Sequence, residues 1–278
     1  MTEPPRQFTV GERPAIRGES VGQGPPVVLC HGVTASRGGV LHGSRFLERA
    51  GHRVVSYDAR GHGESDPAPS PQGYGYPELV GDLEAVVAAT VGEAPFVLAG
   101  SSMGAHTAVA YALRHPGRLA GLVAIGPAYG GVEIAPESLA YWDGLAAALE
   151  EGGIDAFVAR IGRELEIGPA WRDGVLRFTR ERMLAHRDLG AVAEALRGVS
   201  RSRPFDRVGE LASIDVPALV IASHDEADPG HPRAVAELYA QHLPRARLSG
   251  EEKGKSPLAW QGGALSREIA AFCAELDV

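Results

Sequence analysis

The sequence has little lysine, little cysteine and no long apolar run. Only two of its 27 basic residues are lysines, Lys253 and Lys255, so arginine carries almost all of the positive charge. The two cysteines, Cys30 and Cys273, are too few for a disulfide framework. No stretch approaches the ~18 consecutive apolar residues of a membrane span, and the opening MTEPPRQFTV lacks the pattern of a secretory leader. These absences predict a soluble, cytoplasmic protein.

The balance of charge and the missing ligand motifs narrow the function classes. A net charge of −8 argues against nucleic-acid binding, which needs a basic face. The sequence contains no zinc-ligand spacing, phosphate-binding loop or dinucleotide fingerprint, so we expect no cofactor and no metal. The expected partner is a small-molecule substrate, with neither nucleic acid nor a membrane involved.

Short apolar runs alternate with longer helix-like stretches along the chain. This alternation predicts an α/β fold with a mostly parallel central sheet. The predicted buried strands are Val27–Cys30, Arg53–Tyr57, Phe96–Ala99, Leu122–Ile125 and Ala218–Ala222. The helices predicted around them are Gly39–Ala50, Pro77–Val91, Met103–Arg114, Pro232–His242 and Ala264–Glu275.

The alternation stops between Pro127 and Pro204. Three helical patterns follow one another there without a strand: Leu139–Leu149, Ile154–Glu166 and Val175–Leu184. Long inserts without strands are usually functional lids. We therefore predict a helical cap at residues 128–204, inserted into a core made of residues 1–127 and 205–278.

The clearest chemical motif is GSSMG, residues 100–104, between a predicted strand and a predicted helix. It fits the G-x-S-x-G nucleophile elbow in the required strand–turn–helix context. Glycines two positions either side let the backbones approach, so the Ser102 hydroxyl stands clear of the sheet. The N-terminus of the following helix favours developing negative charge. The motif predicts Ser102 as a nucleophile.

Two further segments follow predicted strands. HGV, residues 31–33, stands where a loop contributes a backbone N–H to an oxyanion hole, which predicts Val33 and Met103 as its two donors. DARGHGESD, residues 58–66, is interpreted as a structural turn, and its His62 as a hydrogen-bonded structural histidine.

The segments LCHGVTAS, YDARGHGESD, GSSMG and PALVIASHDEADPGHP resemble the α/β-hydrolase superfamily in order and spacing. The resemblance covers nearly the whole chain, and the predicted cap falls where that family has its variable cap. It implies a triad in the order Ser, acid, His, with Ser102 as nucleophile. Haloalkane dehalogenases and epoxide hydrolases of this fold use an aspartate there instead. The implied acid is Asp225, with Asp228 as the competing residue.

The catalytic histidine that the resemblance implies is missing. Lys255 stands at its position, 30 residues after Asp225, and no histidine follows His242. To act as a base at neutral pH, a lysine must lose about three units from its ordinary pKa near 10.4. A neighbouring carboxylate opposes that loss. The scarcity of lysine still favours a functional Lys255, because arginine stays charged in proteins.

Four interpretations of this substitution remain. Lys255 is a desolvated base for Ser102, or the base is a histidine from elsewhere: His106, His224 or His231. Alternatively, Lys255 stays charged and the protein is lyase-like, isomerase-like or ligand-binding. In the fourth interpretation histidine is the natural residue, and this sequence carries an inactivating change.

The favoured prediction is a serine-hydrolase-like enzyme of the carboxylic-ester class. It hydrolyses or transfers the acyl group of a small, fairly apolar ester-like substrate, with an atypical triad. Ser102, Asp225 and Lys255 are the predicted catalytic residues.

Overall fold

A computed structural model of the chain describes residues 4–224 and 226–276. It contains the strands β1 (Arg6–Val10), β2 (Ile16–Val21), β3 (Pro26–Cys30), β4 (Arg53–Tyr57), β5 (Phe96–Ser101), β6 (Leu119–Ile125), β7 (Ala218–Ala222) and β8 (Ala246–Gly250). They form one sheet in the order β1-β2-β4-β3-β5-β6-β7-β8. Strand β2 runs antiparallel to both of its neighbours, β1 and β4. The strands from β3 to β8 all pair in parallel with one another. The predicted α/β class with a mostly parallel sheet is confirmed.

The described helices are α1 (Phe46–Arg49), α2 (Tyr76–Thr90), α3 (Met103–Arg114), α4 (Pro136–Glu164), α5 (Pro169–Met183), α6 (Leu189–Arg201), α7 (Arg233–His242) and α8 (Gly262–Cys273). The helix predicted at Gly39–Ala50 is wrong in extent, since only its last part, α1, is α-helical. His42 and Gly43 interrupt it with φ of 49° and 77°, values outside the helical region. None of these helices combines the length and apolar character needed to span a bilayer.

Helices cover both faces of the central strands. Val80 of α2, Ala108 of α3 and Tyr239 of α7 are buried in the cluster on one face. Leu47 of α1 and Ile269 of α8 are buried on the other. Every residue of β3 and β7 is buried, which explains why these strands are continuous apolar runs rather than alternating ones.

Helices α4, α5 and α6 lie between β6 and β7, with no strand in the 126–217 segment. Leu145, Phe157 and Leu196 of these helices share one buried cluster with Val33 and Met103 of the core. The inserted helices therefore pack directly on the two predicted oxyanion residues. The treatment of residues 128–204 as a separate cap unit stays a prediction.

Candidate active site

Ser102 lies on a sharp turn between β5 and α3. Its φ of 53° and ψ of −115° are unusual for a residue with a side chain and cost about 1–3 kcal/mol, which the surroundings must supply. A Cβ on Gly100 would clash with the backbone of Gly104, and one on Gly104 would clash with the carbonyl of Cys30. The two glycines of the motif are thus required by the close approach of α3 to β3 and β5.

The loop after β3 lies beside this turn. A Cβ on Gly32 would stand 3.4 Å from the Cβ of Ser102 and 3.4 Å from the carbonyl oxygen of Ser101. Neither the Val33 N–H nor the Met103 N–H donates to a backbone acceptor in the part of the chain that the structure describes. Both N–H groups are therefore available to a ligand oxygen, which supports the predicted oxyanion hole.

A buried histidine cluster holds this loop. His62 donates from Nε2 to the carbonyl of Val33 at 2.8 Å, and His186 donates from Nε2 to that of Thr34 at 3.2 Å. The rings of His31 and His186 pack against His62 in tilted and edge-to-face arrangements, with ring centroids 5.1 Å and 5.5 Å away. Burial lowers the pKa of His31 and of His186 to about 3, so both are neutral at physiological pH. These rings position the loop, in agreement with the structural interpretation of His62.

The loop after β7 carries a carboxylate–imidazole pair. The Nδ1 of His231 lies 2.9 Å from Oδ2 and 3.0 Å from Oδ1 of Asp228. Burial alone would lower the pKa of His231, but the charge and hydrogen bond of Asp228 raise it above its ordinary value. The predicted acid Asp225 lies outside the described residues.

His231 reaches the edge of the sheet beside the nucleophile. The Ser102 N–H donates to the carbonyl of Ile125, the last residue of β6, at 2.9 Å. Gly126 follows directly, and a Cβ placed there would lie 3.3 Å from Cγ of His231. The imidazole thus covers the end of β6, the strand next to the one that carries Ser102.

His106, one helical turn beyond Ser102, has both ring nitrogens occupied. Its Nδ1 pairs with the Tyr76 hydroxyl at 2.8 Å, and its Nε2 accepts the N–H groups of Ala128 and Tyr129 at 3.0 Å and 3.1 Å. Burial lowers its pKa to about 3. Its bonds make it a structural tie between α3 and the segment after β6.

Lys255 lies exposed on the loop after β8. Its ammonium forms no hydrogen bond or ion pair with a described residue. Glu251, four residues earlier, accepts the N–H of His224 at 2.6 Å and that of Leu258 at 2.8 Å. The structure therefore places the Val33 loop beside Ser102, His231 over Gly126 and Lys255 at the surface, and the role of each residue stays a prediction.

Sequence reasoning missed two charged residues near this site. One is Glu251, which ties the loops after β7 and β8 through the two bonds just given. The other is Arg182 of α5, whose buried Nε has no hydrogen-bond partner in the described chain and whose guanidinium carbon lies 5.0 Å from the Phe178 ring centroid. The position of Glu251 directly after β8 was a usable signal. Nothing in the sequence distinguishes Arg182 from its neighbouring arginines.

The described residues contain no group of three or more histidine, cysteine, aspartate or glutamate side chains able to hold a metal ion.

A family model and several known proteins are similar to this chain in sequence. A family model for the alpha/beta hydrolase fold matches residues 25–255. Epoxide hydrolase B of Mycobacterium tuberculosis is 40% identical over 109 residues, which cover 39% of this chain and only 30% of that protein. A non-heme haloperoxidase of Rhodococcus erythropolis is 29% identical over 225 residues, covering 74% of this chain and 76% of the relative.

Two solved structures share the whole fold. A thermophilic esterase from Thermogutta terrifontis superposes with a TM-score of 0.79 at 22% identity, covering 99% of this chain and 100% of the other. The enol-lactonase from Burkholderia xenovorans LB400 gives a TM-score of 0.75 at 24% identity, with coverages of 94% and 97%. At these identities the likeness concerns the fold.

Proposed function

The chain belongs to the α/β-hydrolase fold family, and we propose that it is a serine hydrolase acting on the acyl group of a small ester-like substrate. The observation that supports this proposal is the backbone conformation of Ser102, which has a φ of 53° and directly precedes the N-terminus of α3. That conformation costs free energy and presents the hydroxyl beside two free backbone donors. A serine rather than an aspartate at this point supports acyl chemistry over the opening of an epoxide.

The proposed reaction assigns one role to each of these groups. Ser102 Oγ attacks the acyl carbon, and the carbonyl oxygen becomes an oxyanion between the Val33 and Met103 N–H groups. Each such donor is typically worth about 2.7–4 kcal/mol in the transition state. The N-terminus of α3 adds a favourable dipole. Loss of the alcohol leaves an acyl-enzyme, which water hydrolyses or a second nucleophile accepts.

The inserted helices support a small, largely apolar substrate. Their buried cluster includes Val33 and Met103, so apolar side chains of the inserted helices pack next to the two predicted oxyanion donors. Tyr141 and Trp142 of α4 are partly buried against the same cluster. A substrate that reaches Ser102 therefore lies between the sheet edge and this helical layer.

The sequence assigns the polar partners of Ser102 to Asp225 and Lys255, and both assignments remain proposals. The exposure of Lys255 bears on them, because its role as a neutral base depends on a desolvated side chain.

The test is covalent labelling with a serine-directed fluorophosphonate, followed by intact-mass measurement. The unmodified chain should gain one adduct, Ser102→Ala should gain none, and Ser101→Ala, the matched neighbouring serine, should label normally. Hydrolysis of p-nitrophenyl acetate should follow the same order. A folded chain that gains no adduct from pH 6 to 10 contradicts the proposal and favours the non-hydrolytic alternative.

A further inference from the structure

His231 has one ring nitrogen fixed and one available. Asp228 is acceptor-only when ionised, so the bond at 2.9 Å places the proton of the neutral ring on Nδ1. Nε2 makes no hydrogen bond to the residues 4–224 and 226–276. Its lone pair is therefore free to accept a proton. This is the tautomer that a general base for a serine requires.

The available nitrogen belongs to a ring that stands beside the nucleophile. The imidazole lies over Gly126, with 3.3 Å between its Cγ and a Cβ placed on that glycine. Gly126 continues β6, and Ser102 continues β5, its partner in the sheet, where Ser101 pairs with Ile125. Neighbouring strands are about 4.8 Å apart, so Gly126, which the imidazole covers, lies about one strand spacing from the strand end that carries Ser102.

The absence of a side chain on Gly126 is what lets the ring come this close. Its φ of 54° is a conformation that glycine adopts without cost. Any larger residue would both strain the backbone and meet the imidazole.

Among the described residues, three charged or titratable groups face His231 from the elements packed around it. Asp228 on its own loop raises the pKa of His231 against the effect of burial, while Arg182 on α5 works to lower it. His106 on α3 stays neutral, because burial lowers its pKa to about 3. The carboxylate thus outweighs the cation and the burial, so the partly buried imidazole holds a proton more readily than an ordinary histidine.

The other candidates for this role are less well placed. His106 uses both ring nitrogens in hydrogen bonds. Lys255 is exposed, and its ammonium forms no hydrogen bond or ion pair with a described residue. The side chain of His224 forms no bond to a described carboxylate; only its backbone N–H is held, by Glu251.

We infer that His231, oriented by Asp228, is the general base of Ser102, so that the imidazole missing after β8 is supplied from the loop after β7. The inference rests on the proposed acyl-transfer function. Asp228 is a positioning residue in this arrangement, since it acts through His231 and touches no reacting atom.

This single base accounts for every proton transfer in the proposed reaction. His231 Nε2 accepts the Ser102 Oγ proton as Oγ bonds to the acyl carbon and the carbonyl π electrons move onto oxygen. The imidazolium returns that proton to the departing alkoxide as the carbon–oxygen bond breaks. Next, Nε2 takes a proton from water as its oxygen bonds to the acyl carbon, then delivers it to Oγ as the acyl-enzyme bond breaks. The products are an alcohol and a carboxylic acid.

The experiment measures the second-order rate of fluorophosphonate labelling of Ser102. His231→Gln should lower this rate by about 10²–10⁴-fold, the usual contribution of a general base. His242→Gln, a matched change at the far end of α7, should leave it unchanged. Asp228→Asn should lower the rate and also move the acidic limb of its pH profile to lower pH, because the charge that raises the pKa of His231 is gone.

A second variant separates catalysis from a structural role. In His231→Ala, added 4-methylimidazole should restore labelling in proportion to its free-base concentration, an effect that a merely structural histidine does not show. Normal labelling of folded His231→Gln overturns the inference while the proposed function stands, and loss of labelling in Lys255→Met alone moves the base to the loop after β8. Absence of labelling in the unmodified chain overturns the proposed function, and this inference with it.

Discussion

Two neighbouring loops at the same edge of the sheet carry the two candidate bases for Ser102. The loop after β7 holds His231 and Asp228 largely buried, with side-chain exposures of 28% and 13%. The loop after β8 holds Lys255 exposed to solvent. The imidazole of His231 is paired with a carboxylate, whereas the ammonium of Lys255 has no partner among the described residues. Sequence spacing selects the loop after β8 as the source of the base. The carboxylate that raises the proton affinity of a histidine lies instead in the loop after β7.

The difference follows from where the two strands lie. Every residue of β7 is buried between helical layers, whereas β8 is an edge strand whose residues are all partly exposed or exposed. A loop that continues a central strand emerges over neighbouring strand ends, where Gly126 makes room for an imidazole. A loop that continues an edge strand has solvent on one side. Active sites of parallel sheets form at the carboxyl ends of the strands, and within that edge the central loops are the better shielded ones.

The pH profile of the labelling rate of the unmodified chain is the strongest test of this difference between the two loops. If His231 is the base, labelling should rise with pH through a limb above 6.5, because Asp228 raises the pKa of that imidazole. Two units below the limb the rate should be about a hundredfold lower, since only the neutral ring accepts a proton. The measurement is the labelling rate from pH 5 to 11, with Ser102→Ala giving the background.

A rise confined to the strongly alkaline range would contradict this prediction and favour Lys255 instead. Placing a histidine in the loop after β8 tests the same difference between the loops. Lys255→His in the His231→Gln background should recover less than about a tenth of the lost labelling rate, because position 255 is exposed. Full recovery would show that the loop after β8 is the working position and that the lysine is the inactivating change.

Glu251 joins the two loops and provides the next largest effect. Its carboxylate accepts backbone N–H groups from His224 and Leu258, so Glu251→Ala leaves two donors without their charged partner. Hydrogen bonds to charged groups contribute about 1.5–3 kcal/mol each, and we expect a loss of about 2–3 kcal/mol in the free energy of unfolding. Urea denaturation measures it. Glu252→Ala, at the exposed neighbouring position, should not shift the midpoint; equal effects of both changes would show that the bridge contributes nothing.

The sequence predicted those parts of the fold that local patterns determine. Strand β7 at Ala218–Ala222 and helix α3 at Met103–Arg114 are confirmed to the residue, because a continuous apolar run and a strand–turn–helix motif are strong local signals. Strands β1 and β2 were not predicted, since their half-exposed residues lack a continuous apolar run. Helix α6 was also missed, although its Asp188 cap accepts the N–H of Ala191.

The candidate site divides in the same way. The position of Ser102 follows from glycine spacing, which a sequence shows directly. The Asp228–His231 pair depends instead on how a four-residue turn folds over Gly126, a contact made across the sheet. The sequence offers Asp228 only as the competing acid and His231 only as one of three alternative histidines, because the sequence pattern does not show that the two side chains pair. The scarcity of lysine drew attention to Lys255, but composition carries no information about exposure.

Arg182 provides the smallest effect and tests whether the loop after β7 is electrostatically tuned. Its cation lowers the pKa of His231 against the effect of Asp228, so its removal should raise that pKa and move the acidic limb of the profile to higher pH. Below the limb, Arg182→Gln should then label about three- to fivefold more slowly, the size expected for one partly screened charge. Well above the limb the two rates should converge.

Arg180→Gln is the matched control, because Arg180 lies on the same helix but pairs with Asp155 away from the loop. Its profile should coincide with that of the unmodified chain. A slower rate for Arg182→Gln at every pH would instead show that the guanidinium holds the probe or the helical layer, and not the proton affinity of His231. A shift of the limb to lower pH would show that the cation acts mainly on Asp228, which it also faces, and would reverse the electrostatic order assigned to the two loops.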